Sequence, residues 1–221
     1  MDLFDALPAL RSHALFQDKS VALISVSTII CDQTSYYFEI NPPKYWGKTE
    51  EGTPSIGISA VSGSIKQEED PLGCLQRNAQ AQLGARLKLD LPQETFLLNE
   101  WRIAGRLHML PTKKRPTPWM VVLTPPRLGG PGMPDHLAIL VLRTRLHGTL
   151  NPAGLFGLLR IEKTAAQTFF TADTRSLAEA QAHPGVEITL CGDAPPDAVL
   201  RPVLTARAFQ TILRDRISPV A

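Results

Sequence analysis

The sequence predicts an α/β fold, a sandwich of helices around a mixed β-sheet, on three observations. Short apolar runs rich in β-branched residues recur along the chain, a few helical patterns are interleaved with them, and 221 residues suffice to bury one full core. The expectation is a single domain over residues 1–221, with 1–19 as a helical extension and 166–221 as an elaboration that completes the sandwich.

Taken in order, Leu3, Leu7 and Leu10 fall at helical spacing and predict a short amphipathic helix that packs on the domain or on a partner. The β-branched run VALISVSTIIC predicts a buried strand. A polar turn at 32–35 and a second strand, YYFEI, follow, the latter ended by Asn41-Pro42-Pro43. Residues 44–54 read as a loop, and SIGISAVSGSI as one strand running into a glycine turn at Ser62-Gly63-Ser64. Asp70 then caps a helix with Pro71 at its first position, and Gly84 marks its end. Two further strands are expected in TFLLNEWRIAG and PWMVVLT, joined through Lys113, Lys114 and Arg115. HLAILVLRTRL is the clearest strand of all. The remainder predicts strands at GLLRI and VEITL and helices at DTRSLAEAQAH and TARAFQTILRDR.

Hydrophobic residues at 43% and charged residues at 20% exclude the apolar-poor profile of a disordered chain. A formal net charge of +2 leaves no global field to attract nucleic acid or an anionic membrane, so recognition by charge has to be local. Cys31, Cys74 and Cys191 lie far apart, with no C-x-x-C pair and no histidine at ligand spacing. Neither a disulfide framework nor a zinc site is indicated, and a reducing, cytoplasmic setting is expected. Asp2, Asp5 and Pro8 oppose a secretory signal, and the longest apolar stretch is too short to span a bilayer as a helix.

Residues 63–85, GSIKQEEDPLGCLQRNAQAQLGA, carry the most specific pattern in the chain. It resembles the signature of the Nudix hydrolase superfamily, G-x5-E-x7-R-E-U-x-E-E-x-G-U with U aliphatic, matching without a gap at Gly63, Glu69, Arg77 and Gly84. The resemblance implies a Nudix-type α/β/α sandwich and a Glu69–Arg77 ion pair that holds the loop against the helix. It also implies an altered chemistry. Nudix enzymes cleave a diphosphate linked to another moiety, and the signature glutamates hold the divalent metals. Here those three positions are Asn78, Ala81 and Gln82. Magnesium favours anionic oxygen ligands, and neutral carboxamides or a methyl group do not replace them.

Spacing of i, i+3 and i+4 puts residues 78, 81 and 82 on one helical face, with Leu72, Leu75, Ala79 and Leu83 on the core side. Asn78 and Gln82 read either as solvated helix residues or as hydrogen-bond partners of a ligand. The candidate ligand-binding set is Gly63, Ser64, Glu69, Arg77, Asn78 and Gln82, with Glu69 as the candidate metal ligand. The functional expectation is a Nudix-fold protein without metal-dependent diphosphatase activity that binds a nucleotide-like ligand or a protein partner. No cofactor is expected on that reading. The alternative is an active hydrolase of nucleoside-diphosphate-linked substrates, recruiting Mg²⁺ through Glu69, Glu100 or Glu162. A third role is structural, as a homodimer built through exposed edge strands and loops. Other features read as bland: Lys113, Lys114 and Arg115 as a solvated loop, Trp46, Trp101 and Trp119 as core or rim, Gly129 to Gly132 as a flexible loop. His108, His136 and His147 show no metal or triad spacing.

Overall fold

A computed structural model describes residues 1–109, 117–126 and 132–215. Helix α1 (Leu3–Ala6) is followed by β1 (Val21–Cys31), β2 (Ser35–Ile40), β3 (Gly47–Lys48), β4 (Pro54–Ser59) and β5 (Val61–Ser64). Next come α2 (Pro71–Leu83), β6 (Arg86–Asp90), β7 (Glu94–Asn99), β8 (Arg102–His108), β9 (Met120–Thr124) and β10 (His136–His147). The final part adds β11 (Gly157–Glu162), α3 (Lys163–Phe169), β12 (Arg175–Ser176), α4 (Leu177–Ala182), β13 (Val186–Leu190), β14 (Val199–Pro202) and α5 (Leu204–Asp215). Lys113, Lys114, Arg115 and the glycine run at 129–131 lie outside the described residues.

One mixed sheet organises the molecule, in the order β12-β14-β4-β2-β1-β10-β9-β7-β8. Its spine is the parallel pair β1–β10, whose register shifts at a bulge between Leu23 and Ser25. The other edge of β1 is shared by two partners, β5 opposite residues 25–28 and β2 opposite residues 30–31, so the sheet splays there. The central strands are buried on both faces and alternate with period two. Leu97, Val121, Leu123, Ala138 and Leu140 face α1 and α2, while Phe96, Leu98, Met120, Val122, Ile139 and Val141 face α3, α4 and α5. The α/β/α layering expected from the sequence is the layering found. The predicted N-terminal helix packs on the domain, since Leu3, Leu7 and Leu10 are buried against β1 and α2.

Three local expectations are corrected. SIGISAVSGSI is two strands: the chain breaks at Ala60, and β4 pairs with β2 and β14 while β5 pairs with β1. The anticipated glycine turn at Ser62-Gly63-Ser64 is extended strand, and the turn comes later, with Glu68 at φ 61°. TFLLNEWRIAG is a hairpin, not one strand. Its two-residue turn sits on Glu100 and Trp101, at φ 47° and 67°, where glycine or asparagine would ordinarily signal it. Strand β6, helix α3 and strand β14 went unread because each is short and its polar flanks break the periodicity.

Candidate functional site

The loop between β5 and α2 is braced from within. Asp70 accepts from the Gly73 N–H at 2.8 Å and caps the helix, and Gly84 closes it in the left-handed conformation at φ 57°. Glu69 and Arg77 form the expected pair. Arg77 Nε donates to Glu69 Oε1 and Nη2 to Oε2, both at 2.7 Å, and Nη2 also reaches the Ser64 carbonyl at 3.0 Å. Glu69 Oε2 further accepts from the Lys66 N–H at 3.0 Å. Arg77 above all, then the Lys66 amide, pulls the Glu69 carboxyl down to about 2. Both oxygens of the candidate metal ligand are thus engaged in holding the loop on the helix.

The face that spacing assigned to residues 78, 81 and 82 is divided by its surroundings. Asn78 is only 9% exposed and donates from Nδ2 to the Cys74 carbonyl at 2.8 Å, so the solvated reading does not hold for it. Ala81 is exposed. Gln82 is half-buried and donates from Nε2 to the Ser62 carbonyl at 2.9 Å, tying α2 to β5. Gly63 explains why the seam is so close. A Cβ there would lie 2.0 Å from Asn78 Nδ2, so its lack of a side chain serves the approach of the helix. On the far side the 3-10 turn Pro152–Gly154 presses on the last turn of α2, and a Cβ on Gly154 would meet the Ala81 carbonyl oxygen at 2.4 Å.

This donor set does not fit a magnesium ion. It offers one carboxylate already paired with arginine, two carboxamides directed into a helix–strand seam, and a methyl group. Of the other acids considered, Glu100 lines one cavity and Glu162 another, and among the described residues no three His, Cys, Asp or Glu side chains come together to hold a metal.

Gln82 does reach a cavity, of about 490 Å³, whose wall also carries Glu39, Asn41, Lys44, Tyr45 and Ser59. Its position there is informative. Because Nε2 is bound to Ser62, Oε1 is the atom left over, and it is buried with no hydrogen-bond partner among the described residues. A second cavity, of about 720 Å³, shares Ser62, Leu204 and Thr205 with the first and is walled by Trp101, Met133 and Leu137. A third, of about 920 Å³, shares no lining residue with either. Its cations are engaged, Arg143 and Arg145 with Asp90 at 2.8 and 3.8 Å and Lys163 with the carbonyls of Asp32 and Gln33.

Glu39 escaped the sequence reading because no motif surrounds it. The available signal was a lone acid inside the apolar run YYFEI. Burial pushes its carboxyl up to about 7, against the opposing pull of Ser59 and Lys44. A carboxyl whose folded value is raised favours the fold below its ordinary value of 4.5, and that contribution is lost as pH rises through about 7. Glu39→Gln is therefore expected to raise Tm at pH 8, by up to about 6 °C, and to leave it nearly unchanged at pH 4. Equal shifts at the two pH values in a thermal melt would contradict this.

No family profile matches the sequence, and no curated protein matches it. Solved structures align with much of the chain at low identity. A hydrolase of the NUDIX family from Clostridium perfringens aligns with 88% of this chain and 97% of its own, at 12% identity and a TM-score of 0.42. A possible asymmetric diadenosine tetraphosphate hydrolase from Jonesia denitrificans covers 66% of this chain and 80% of its own, at 18% identity and a TM-score of 0.40. The MutT protein of Bacillus halodurans covers 65% and 71%, at 12% identity and a TM-score of 0.33. At such identities residue roles do not transfer, and those described above follow from this chain's own geometry.

Proposed function

We propose that this chain is a Nudix-type binding protein for a nucleotide-like ligand, without metal-dependent diphosphatase activity. One observation carries the reading: Gln82 donates to the Ser62 carbonyl of β5, and Asn78, which donates to the Cys74 carbonyl within α2, packs directly on Gly63 of β5, so two of the three positions that would hold metal lie in a seam between helix and strand. The scaffold residues Gly63, Glu69, Arg77 and Gly84 keep that helix in place beside a cavity. Binding in such a cavity needs shape and hydrogen bonds, and no ion to activate water.

The test is hydrolysis of ADP-ribose, dinucleoside polyphosphates and nucleoside triphosphates under a titration of Mg²⁺ or Mn²⁺, with a thermal-shift screen of the same compounds. The expected outcome is no metal-dependent turnover and a rise in Tm with at least one nucleotide-related compound, since a ligand selective for the folded state stabilises it by mass action. Turnover at ordinary enzyme rates, about 1 s⁻¹ or more, would overturn the reading in favour of a hydrolase with unusual metal ligands. No shift with any compound would favour a structural or partner-binding role.

A further inference from the structure

We infer, on the basis of that reading, that the cavities of about 490 and 720 Å³ are one ligand cleft for a neutral, planar molecule of nucleobase or nucleoside chemistry, with its N–H edge on Glu39 and Gln82 and its apolar body against Trp101, Met133 and Leu137. Phosphate is not what the cleft reads.

Four observations meet there. The two cavities share Ser62, Leu204 and Thr205, so they adjoin along the break between β4 and β5. The exposed apolar side chains concentrate on this cleft: Ile24 at 40%, Met133 at 48% and Leu204 at 48% line it, and so does Tyr45 at 64%. Isolated exposed apolar residues are ordinary, but a contiguous set around a cavity marks a binding surface. Backbone strain gathers at the same place, because Glu100, Trp101 and Leu204 all have φ between 46° and 67° and all three line the larger cavity. The helix α5 holds that turn through Thr211, whose hydroxyl donates to the Trp101 carbonyl at 2.9 Å.

The polarity of the wall selects the ligand. At the polar end stand the carboxyl of Glu39 and the side chain of Gln82, whose Oε1 is buried without a hydrogen-bond partner among the described residues. A buried acceptor without a donor costs free energy, and a ligand that brings an N–H recovers it. The edges of nucleobases present such donors. The opposite end is apolar and contains an indole, which suits a flat ring. Charge points the same way. Lys44 is the one cation among the described residues that line the two cavities, and it lies over the Tyr45 ring at 4.9 Å, while Glu100 supplies negative charge and Glu39 joins it as pH rises through about 7. Among the described residues that line this cleft, a diphosphate would meet no arginine to receive it bidentately.

The full chain is to be titrated calorimetrically with guanosine, adenosine, purine riboside, GDP and ADP, in the wild type and in Glu39→Gln. The expected result is saturable binding of guanosine or adenosine, binding of the matching diphosphate no tighter, and purine riboside, which lacks the exocyclic amino group and ring N–H, at least about tenfold weaker. Glu39→Gln should weaken the nucleoside about tenfold or more. Its fold is not in question, because that variant is expected to be the more stable protein at pH 8. Diphosphates binding more than about tenfold tighter than nucleosides, with Glu39→Gln indifferent, would overturn the inference and leave the non-catalytic reading standing. Failure of every nucleoside and diphosphate to bind would overturn the inference too. Metal-dependent turnover in the hydrolysis assay would instead remove the reading on which it rests.

Discussion

Phe209→Ala is expected to destabilise the protein by about 4 kcal/mol and to lower Tm by about 8 to 16 °C. Phe209 is fully buried at the centre of helix α5. Its ring lies 5.0 Å from Tyr36, 5.3 Å from Phe38, 5.4 Å from Phe170 and 5.8 Å from Trp119. Truncation removes a large transfer contribution and leaves a cavity among four rings that are themselves fixed by strands and helices, so little collapse can fill it. The substitution also tests the single-domain organisation. Residues 166–215 share this core with the sheet, and a single core unfolds in one step. Circular dichroism and tryptophan fluorescence should therefore give coincident melts, both displaced. A separate early transition of the C-terminal part, with the rest of the melt unmoved, would show two cores instead.

Gly154→Ala should cost about 3 kcal/mol, or roughly 6 to 12 °C in Tm, through overpacking. Its new methyl group would lie 2.4 Å from the Ala81 carbonyl oxygen and 2.8 Å from the Gln82 Cα. Both are backbone atoms of α2, so relief requires moving the helix end or the 152–154 turn, and no side chain can rotate away. Gly47→Ala is the matched control. Nothing lies within 4 Å of a Cβ there, and its effect should stay within about 0.5 kcal/mol. Equal melts for the two variants would mean that the turn does not press on the signature helix as described. The consequence reaches the candidate site, because Gln82 bonds β5 from that same last turn.

What was legible in the sequence was local. The Asp70 cap and the Gly84 terminus lie within a few residues of their partners, and helix geometry brings them together, while the Glu69–Arg77 pair, eight positions apart, was implied by the signature that the segment resembles. The same holds for β1 and β10, whose runs rich in apolar and β-branched residues reflect burial in the middle of a sheet. The hairpin at Glu100 and Trp101 was not legible. Its left-handed residues are sustained by contacts with α5, more than a hundred positions away, in place of any local preference.

The candidate site divides in the same way. By itself the sequence determined that positions 78, 81 and 82 lack carboxylates and that the helix bearing them is capped, because composition and spacing are properties of the chain. Only the tertiary structure decided their different fates. Asn78 is buried because Gly63 lets the strand approach, Ala81 stays exposed, and Gln82 lines a cavity while its Oε1 is buried without a partner among the described residues. It also brought Glu39 to the wall of that cavity, where loss of water raises the carboxyl to about 7. Desolvation depends on what packs around a group, and the surfaces that enclose Glu39 come from segments far apart in the chain.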